Sequence, residues 1–307
     1  MAKSFSKIAV IILNWNGKKD TIECLESLAK IEPVGYRVNI IIVDNGSTDG
    51  SVEALSQIKD TPFELIALKT NTGFSAGNNL GIKEALSQGA DFIMLLNNDT
   101  IVDGNLLAQL LSSAKRHQDG GIFVPKIYFA PGFEFHKERY AKEDLGKVIW
   151  SAGGVIDWEN VYAVNGGVDE IDKGDFNEEK ETDFATGACM FIRAKLLEAL
   201  GGFNEKYFAY FEDVEFCQRA KKTGWEIYFV PKAKLWHKVS QSSGIGSNLN
   251  DYFTTRNRML FGSKYAKLKT KMALIRESLT LLLRGRKWQR IGIRDFYFCR
   301  FGKGSWK

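Results

Sequence analysis

Asp99, Glu212, Asp213 and His237 stand at positions where an enzyme would keep reactive side chains. Asp99 follows two asparagines in Leu95-Leu96-Asn97-Asn98-Asp99-Thr100, at the exit of the apolar run Phe92 to Leu96. An acid flanked by amides at a strand end reads as a turn, because Asn and Asp bond their own main chain and tolerate left-handed backbone. The other reading is one carboxylate offered to a divalent cation whose other ligands are phosphate oxygens and water, a coordination suited to Mg²⁺ or Mn²⁺. Glu212 and Asp213 precede a helical pattern. A carboxylate there accepts backbone hydrogen bonds and feels the positive end of the helix, which holds it still and ionised as a general base requires. His237 ends the stretch Lys234 to His237, which runs into the Ser/Gly-rich segment SQSSGIGS. A lone histidine has a structural reading, and paired with Asp99 it would complete the cation site.

Such groups need elements to position them. Ile8 to Leu13, Val38 to Val43, Phe63 to Leu68 and Phe92 to Leu96 are continuous apolar runs, and helical spacing occupies Thr21 to Leu28, Ser51 to Ile58 and Asn78 to Gln88. Continuous rather than alternating strands, separated by helices, predict a parallel sheet covered on both faces, with ligands at the carboxyl ends of the strands. The runs lead into Asn14, Asp44, Asn71 and Asp99, so four polar ends converge on one crevice. No GxGxxG follows the first strand and no GxxxxGK[ST] occurs, which excludes a dinucleotide cradle and a P-loop. The turn Gly73-Phe74-Ser75-Ala76-Gly77-Asn78 opens a helix, where backbone N–H groups can meet an anion. After Ala114 the pattern is irregular, and residues 126–185 read as a variable lobe inserted across the sheet. FATGACMFIRAKLLEALGGF then reads as a strand running into a helix, Asp213 to Thr223 as a helix and Tyr228 to Val230 as a short strand.

With 44% hydrophobic and 26% charged residues in 307, the composition is that of a soluble globular chain with a sizeable core. Cys24, Cys189, Cys217 and Cys299 lie far apart without a CxxC pair, which argues against a zinc ribbon or disulfide scaffold and suits a reducing compartment. The apolar stretch Ile8 to Leu13 is too short for a signal peptide's core, and nothing elsewhere approaches a membrane span, so the expected location is cytoplasmic. The total charge of +5 hides an asymmetry: residues 264–307 hold thirteen Lys and Arg against two acids, which leaves residues 1–263 at −6. That tail interleaves apolar and aromatic positions with cations. It reads either as an interfacial helix on an anionic membrane surface or as a segment packed on the body with its charges in water. Without an RNP, KH or helix-turn-helix pattern, nucleic acid is not an expected partner.

The blocks VIILNWNG, IIVDNGSTDGS, NTGFSAGNNLGI, FIMLLNNDT, FATGACMFIR, YFAYFEDVEFCQRAKKTGW, KLWHKVS and YFTTRNR closely resemble, in order, the family 2 inverting glycosyltransferases with the GT-A fold. Among these the chain is most similar to the rhamnosyltransferase-type branch that builds surface polysaccharides. The similarity runs from about Ile8 to Phe261. It implies an α/β fold with a single mostly parallel central sheet flanked by helices. It divides residues 1–263 into a nucleotide-sugar half (1–115) and an acceptor half (116–263), followed by a basic helical tail (264–307). By resemblance Asn14, Asp44, Ser47, Asp49, Gly73, Asn78 and Asn98 bind the nucleotide, and Asp99 and His237 hold Mg²⁺ or Mn²⁺. Asn97 and Asn98 stand where the family's DXD motif has its earlier acids, which leaves Asp99 as the motif's one carboxylate. Asp213 matches the base, Glu212 its neighbour near the acceptor, and Arg256 and Asn257 a pair expected to contact diphosphate or acceptor.

The implied reaction is a direct displacement. Asp213 would deprotonate an acceptor hydroxyl as it attacks the anomeric carbon of a nucleotide diphosphate sugar. L-rhamnose from dTDP-rhamnose is the first expectation for the donor, with glucose, galactose or N-acetylhexosamine from UDP as the alternative. The acceptor would be a glycan or a polyprenyl-diphosphate-linked glycan, and the enzyme peripheral on the inner face of the cell membrane, with its oligomeric state open. Two rivals remain. A nucleotidyltransferase would show a glycine-rich loop with Arg and Lys after the first strand, and NWNGKKD has only the lysines. A non-catalytic sugar- or lipid-binding subunit is favoured by NND and opposed by the intact Asp99, Asp213 and His237.

Overall fold

In the computed structural model, which describes residues 5–239 and 247–306, the apolar run beginning at Ile8 forms β1 (Ser6–Asn14). It is followed by α1 (Lys18–Leu28), β2 (Tyr36–Asp44), α2 (Ser51–Ser56), β3 (Glu64–Ala67), α3 (Phe74–Ser87) and β4 (Phe92–Asn97). β1 pairs in parallel with β2 and β4, and β2 with β3. The register sets Asn14 opposite Asp44 and Leu13 opposite Asn97, so the polar strand ends finish at one level. These strands read as continuous because both sheet faces are covered. Ile11, Val43, Ile93 and Leu95 enter one core cluster, while Val10, Ile12, Ile42, Met94 and Leu96 enter the other. α3 begins four residues before the expected Asn78, because Gly73 turns the chain at φ 93° and lets Phe74 start the helix.

Beyond β4 come β5 (Thr100–Val102), α4 (Leu106–Arg116), β6 (Gly120–Phe129), β7 (Ile149–Ser151), β8 (Gly154–Asp157), β9 (Tyr162–Asn165) and β10 (Lys180–Glu181). β11 (Cys189–Arg193), α5 (Ala194–Leu200), α6 (Glu212–Lys222), β12 (Glu226–His237), α7 (Asn248–Tyr265), α8 (Leu268–Arg284) and α9 (Lys287–Tyr297) complete the order. The main sheet runs β10-β12-β6-β11-β4-β1-β2-β3, with β5 on β12 and β7 on β6. β11 lies antiparallel between β4 and β6, so a parallel first half is joined to a mixed second half.

β6 corrects the reading of the region after Ala114 as irregular. Every residue from Gly120 to Phe129 is buried, and the strand pairs with β12 and β11, so the inserted lobe begins after Phe129 rather than at 126. Pro125 and Lys126 interrupt the apolar pattern and hide the strand. Lys126 is fully buried, and its Nζ donates to Asp172 Oδ2 at 2.7 Å and Asn177 Oδ1 at 2.8 Å. Tyr128 Oη donates to the same Asp172 oxygen at 2.5 Å, so one carboxylate ties the lobe to the sheet. β12 likewise is one strand of twelve residues where two short pieces were expected; its register shifts between Val230 and Lys234, beside Pro231, which has no N–H to give the ladder.

α7 runs through residue 264, so the expected start of the tail falls inside a helix. Asp295 in α9 is fully buried and accepts hydrogen bonds from Tyr252 Oη at 2.5 Å and from the Ser305 amide at 2.9 Å. Trp306 lies against the rings of Tyr252, Phe253 and Trp288. The packing alternative therefore describes α9 and the segment after it. Among the described residues no helix is long and apolar enough to cross a membrane.

Candidate functional site

A hydrogen-bonded weave joins the ends of β1, β2 and β4. Asn14 is fully buried, and its Nδ2 donates to Asp44 Oδ2 at 2.6 Å and to Ser47 Oγ at 3.2 Å. Its Oδ1 accepts from the Gly17 amide, from Thr21 Oγ1 at 2.8 Å and from Asn98 Nδ2 at 3.2 Å. Asp44, also fully buried, takes the Ser47 amide on its second oxygen at 2.9 Å. These side chains satisfy one another, as buried polar groups must, and so fix the loops around them. Asp49 is on the exposed loop and accepts from the Lys18 amide at 3.0 Å, which brings that loop against the start of α1.

Gly73 sits where a Cβ would fall 2.5 Å from the Phe208 ring, so a larger residue would push two loops apart. Its carbonyl accepts from Asn45 Nδ2 at 3.1 Å. Asn78, expected at the nucleotide, is buried and donates to the Phe74 carbonyl at 2.9 Å, inside the first turn of α3. Asn45 and Thr21 complete the weave and were missed in the sequence. Asn45 stands in VDNGS beside the residue that was chosen, and Thr21 was hidden within a helical pattern.

Asp99 and His237 meet as expected. His237 Nε2 lies 2.9 Å from Asp99 Oδ1, and the Lys238 amide donates to the Asp99 carbonyl at 2.9 Å. β5 pairs with β12 so that Thr100 faces His237, which fixes both side chains on neighbouring strands. Trp150 stands edge-on to the imidazole at 4.7 Å. Lys238 reaches Asp20 at 2.8 Å and also bonds Glu23, pinning this corner to α1. The Ser/Gly-rich stretch 240–246 that follows lies outside the described residues.

A divalent cation fits this corner on the chemistry of its donors. One carboxylate oxygen and one imidazole nitrogen converge, and among the described residues the buried His237 Nδ1 has no hydrogen-bond partner, so only the Asp99 contact bears on the ring's tautomer. Among the described residues no three His, Cys, Asp or Glu side chains gather around one point, so the remaining ligands would come from diphosphate and water.

Asp213 lies in the first turn of α6. Its Oδ2 accepts from the Gly187 amide at 2.9 Å and its Oδ1 from the Val214 amide at 2.8 Å. Burial raises the Asp213 pKa in spite of these bonds. Glu212 beside it is 5% exposed, its Oε2 has no hydrogen-bond partner among the described residues, and burial together with the Asp213 charge pushes its pKa well above the usual carboxylate range. Two adjacent carboxyls thus differ in environment, and the more deeply buried one keeps its proton more readily. Ala188, next to Gly187, accepts from the Asn97 amide at 2.9 Å. Two successive residues therefore bond Asp213 on one side and the strand end leading to Asp99 on the other.

Arg256 and Asn257 depart from the expected role. Both side chains are fully buried, so contact with a diphosphate or acceptor is not available to them in this structure. Arg256 donates to the carbonyls of Lys206 and Arg300, each at 3.3 Å. Asn257 Nδ2 donates to the carbonyls of Ala209 and Tyr210, each at 2.8 Å. The pair holds the loop that delivers Glu212 and Asp213.

A sequence profile described as "Glycosyltransferase like family 2" matches residues 6–262. The N-acetylglucosaminyl-diphospho-decaprenol L-rhamnosyltransferase of Mycobacterium tuberculosis is 25% identical over 226 residues, 71% of this chain and 71% of that protein. Among solved structures, TarS of S. aureus superposes with a TM-score of 0.54 at 17% identity; the match covers 92% of this chain but only 44% of that one. The mannosyltransferase PcManGT from Pyrobaculum calidifontis, in complex with GDP-Man and Mn²⁺, superposes with a TM-score of 0.56 at 13% identity over 99% of this chain and 88% of that one.

Proposed function

The chain belongs to glycosyltransferase family 2, and from that premise we propose that it is an inverting enzyme transferring L-rhamnose from dTDP-rhamnose to a lipid-linked glycan. The observation that carries the reading is Asp213, fixed by two backbone amides and joined through Ala188 to the strand end that bears Asp99. In the proposed step an acceptor oxygen forms a bond to the anomeric carbon from the face opposite the diphosphate. Its proton passes to Asp213, and the anomeric carbon–oxygen bond breaks with its electron pair leaving on the diphosphate. Asp99 and His237 would hold Mg²⁺ or Mn²⁺, which when bound neutralises charge on the departing diphosphate. The weave around Asn14 and Asp44 would set the nucleotide's loops, with Ser47, Asp49, Gly73 and Asn98 at its edge. Glu212 would stand beside the acceptor.

The sugar and the acceptor are taken from the mycobacterial relative, whose name specifies rhamnosyl transfer to a decaprenyl-linked sugar, and the dTDP carrier follows the expectation from the resemblance. A lipid-linked acceptor would keep the enzyme peripheral on the cytoplasmic face of the membrane. UDP-linked glucose, galactose or N-acetylhexosamine is the alternative donor class. Calorimetric titration of dTDP, UDP and GDP, each with and without Mn²⁺, tests the reading. Tight binding of dTDP only with the metal supports it, and such binding of UDP instead selects the alternative donor class. No binding to any of the three would overturn it in favour of a non-catalytic sugar- or lipid-binding subunit.

A further inference from the structure

α8 has two unlike faces. Leu274 and Ser278 are buried against the body, and Arg258 of α7 grips both oxygens of Glu277 at 2.8 and 2.9 Å. On the other side Leu268, Met272, Ile275, Leu279 and Leu283 are 75%, 61%, 46%, 54% and 81% exposed. At 3.6 residues per turn these five fall within an arc of about 80° and form a stripe about 22 Å long. Single exposed apolar residues are ordinary, but a contiguous row on one helix marks an interaction surface. The same helical geometry places Arg276 and Lys269 along one edge of the stripe and Lys271 along the other. Glu277, the one acid in α8, is already held by Arg258.

We infer that this face of α8 docks on an anionic lipid bilayer, with the apolar row entering the acyl boundary and the flanking cations meeting lipid phosphates. The inference rests on the proposed use of a lipid-linked acceptor, which requires the enzyme to work at a membrane. The charge pattern favours lipid over a second copy of the chain. Two copies joined stripe to stripe would bring like-charged edges together with no acid to offset them, whereas an anionic headgroup layer neutralises both edges. No described helix can span a bilayer, so α8 lies in the interface rather than across it. The two alternatives for the basic tail thus divide between its helices: α9 packs and α8 docks.

The test is sedimentation of the full chain with phosphatidylcholine vesicles, with and without phosphatidylglycerol. Binding is expected to be about tenfold or more tighter with phosphatidylglycerol and to weaken with salt. The pair Ile275→Glu with Leu279→Glu is expected to lower the partition coefficient about tenfold or more, and the pair Leu268→Ser with Leu283→Ser to lower it at sites far from the first. Lys269→Gln with Arg276→Gln is expected to flatten the salt dependence. Thermal melting and calorimetric diphosphate binding check that each variant is folded. Absence of binding by the unaltered chain, or equal binding by folded stripe variants, overturns the inference. So does a dimer in sedimentation equilibrium that the same substitutions dissociate without any vesicle binding. Loss of diphosphate binding would instead sink the transferase reading and leave vesicle partitioning untouched, so the two failures are distinguishable.

Discussion

Asn257 donates its side-chain amide to the Tyr210 carbonyl at 2.8 Å, and Tyr210 and the next residue, Phe211, hold φ of 66° and 71°. Two successive non-glycine residues in the left-handed region cost energy and persist only where neighbours fix them. Asn257 is such a neighbour, and the turn it holds ends at Glu212. Asn257→Ala is expected to leave two carbonyls without their donor, to destabilise the fold by about 1–3 kcal/mol and to lower kcat more than it raises KM. Unchanged kcat with an altered KM would return Asn257 to direct ligand contact.

Asp213→Asn is expected to lower transfer about 10²–10⁴-fold while nucleotide affinity stays within about twofold, since in the proposed step Asp213 acts on the acceptor rather than on the nucleotide. In the unaltered enzyme the rate should rise with pH through an apparent pKa above the ordinary 3.8, because burial raises that of Asp213. Substantial turnover by the variant would remove Asp213 from the role.

Glu212 supplies the stability counterpart. Its folded pKa lies above the ordinary 4.5, so the folded chain binds this proton more tightly than the unfolded chain does, and its contribution to stability falls as pH rises through that interval. Glu212→Gln should therefore gain melting temperature over the unaltered protein progressively as pH rises above the ordinary 4.5. A difference that does not change with pH would show that Glu212 is not the titrating group.

At the cation corner, Asp99→Ala and His237→Ala are each expected to weaken Mn²⁺-dependent diphosphate binding about tenfold or more, with little effect on the metal-free titration. Equal metal dependence in the Asp99 variant would leave Leu95-Leu96-Asn97-Asn98-Asp99-Thr100 as a turn.

The Lys126–Asp172 pair gives a prediction about the lobe. Lys126→Met leaves a carboxylate facing the sheet without its cation, and such a break costs about 3–5 kcal/mol. Adding Asp172→Leu should recover much of the loss, because the paired apolar replacement strands no charge. Additive losses in a two-variant melting series would refute the coupling.

The first half of the fold was readable because its strands obey one rule: buried on both faces, they appear as unbroken apolar runs, and the helices between them keep a 3.6-residue spacing. β6 obeyed the same rule but carried Lys126 inside it, whose charge is cancelled by Asp172, 46 residues away in sequence. No local pattern announces such a partner. The residues of the proposed reaction were visible as isolated acids and a histidine at element ends. What spacing could not show was that Asn14, Asp44 and Asn98 bond one another, or that Arg256 and Asn257 face inward. The resemblance suggested a ligand for this pair, and main-chain carbonyls take that place.

The links between the loop before Asp213 and residues 300–305 bear on how the chain is made. Lys206 accepts from the Gly302 amide, Tyr207 bridges to Gly302, and Arg256 bonds the carbonyls of both Lys206 and Arg300. These partners leave the ribosome about 90 residues after Asp213, which at ordinary elongation rates is about 5–20 s later. Throughout that interval the nascent chain carries its acid on a loop that lacks these anchors. The loop that delivers Asp213 therefore gains its anchors from residues about 90 positions further along the chain, and only once they are made.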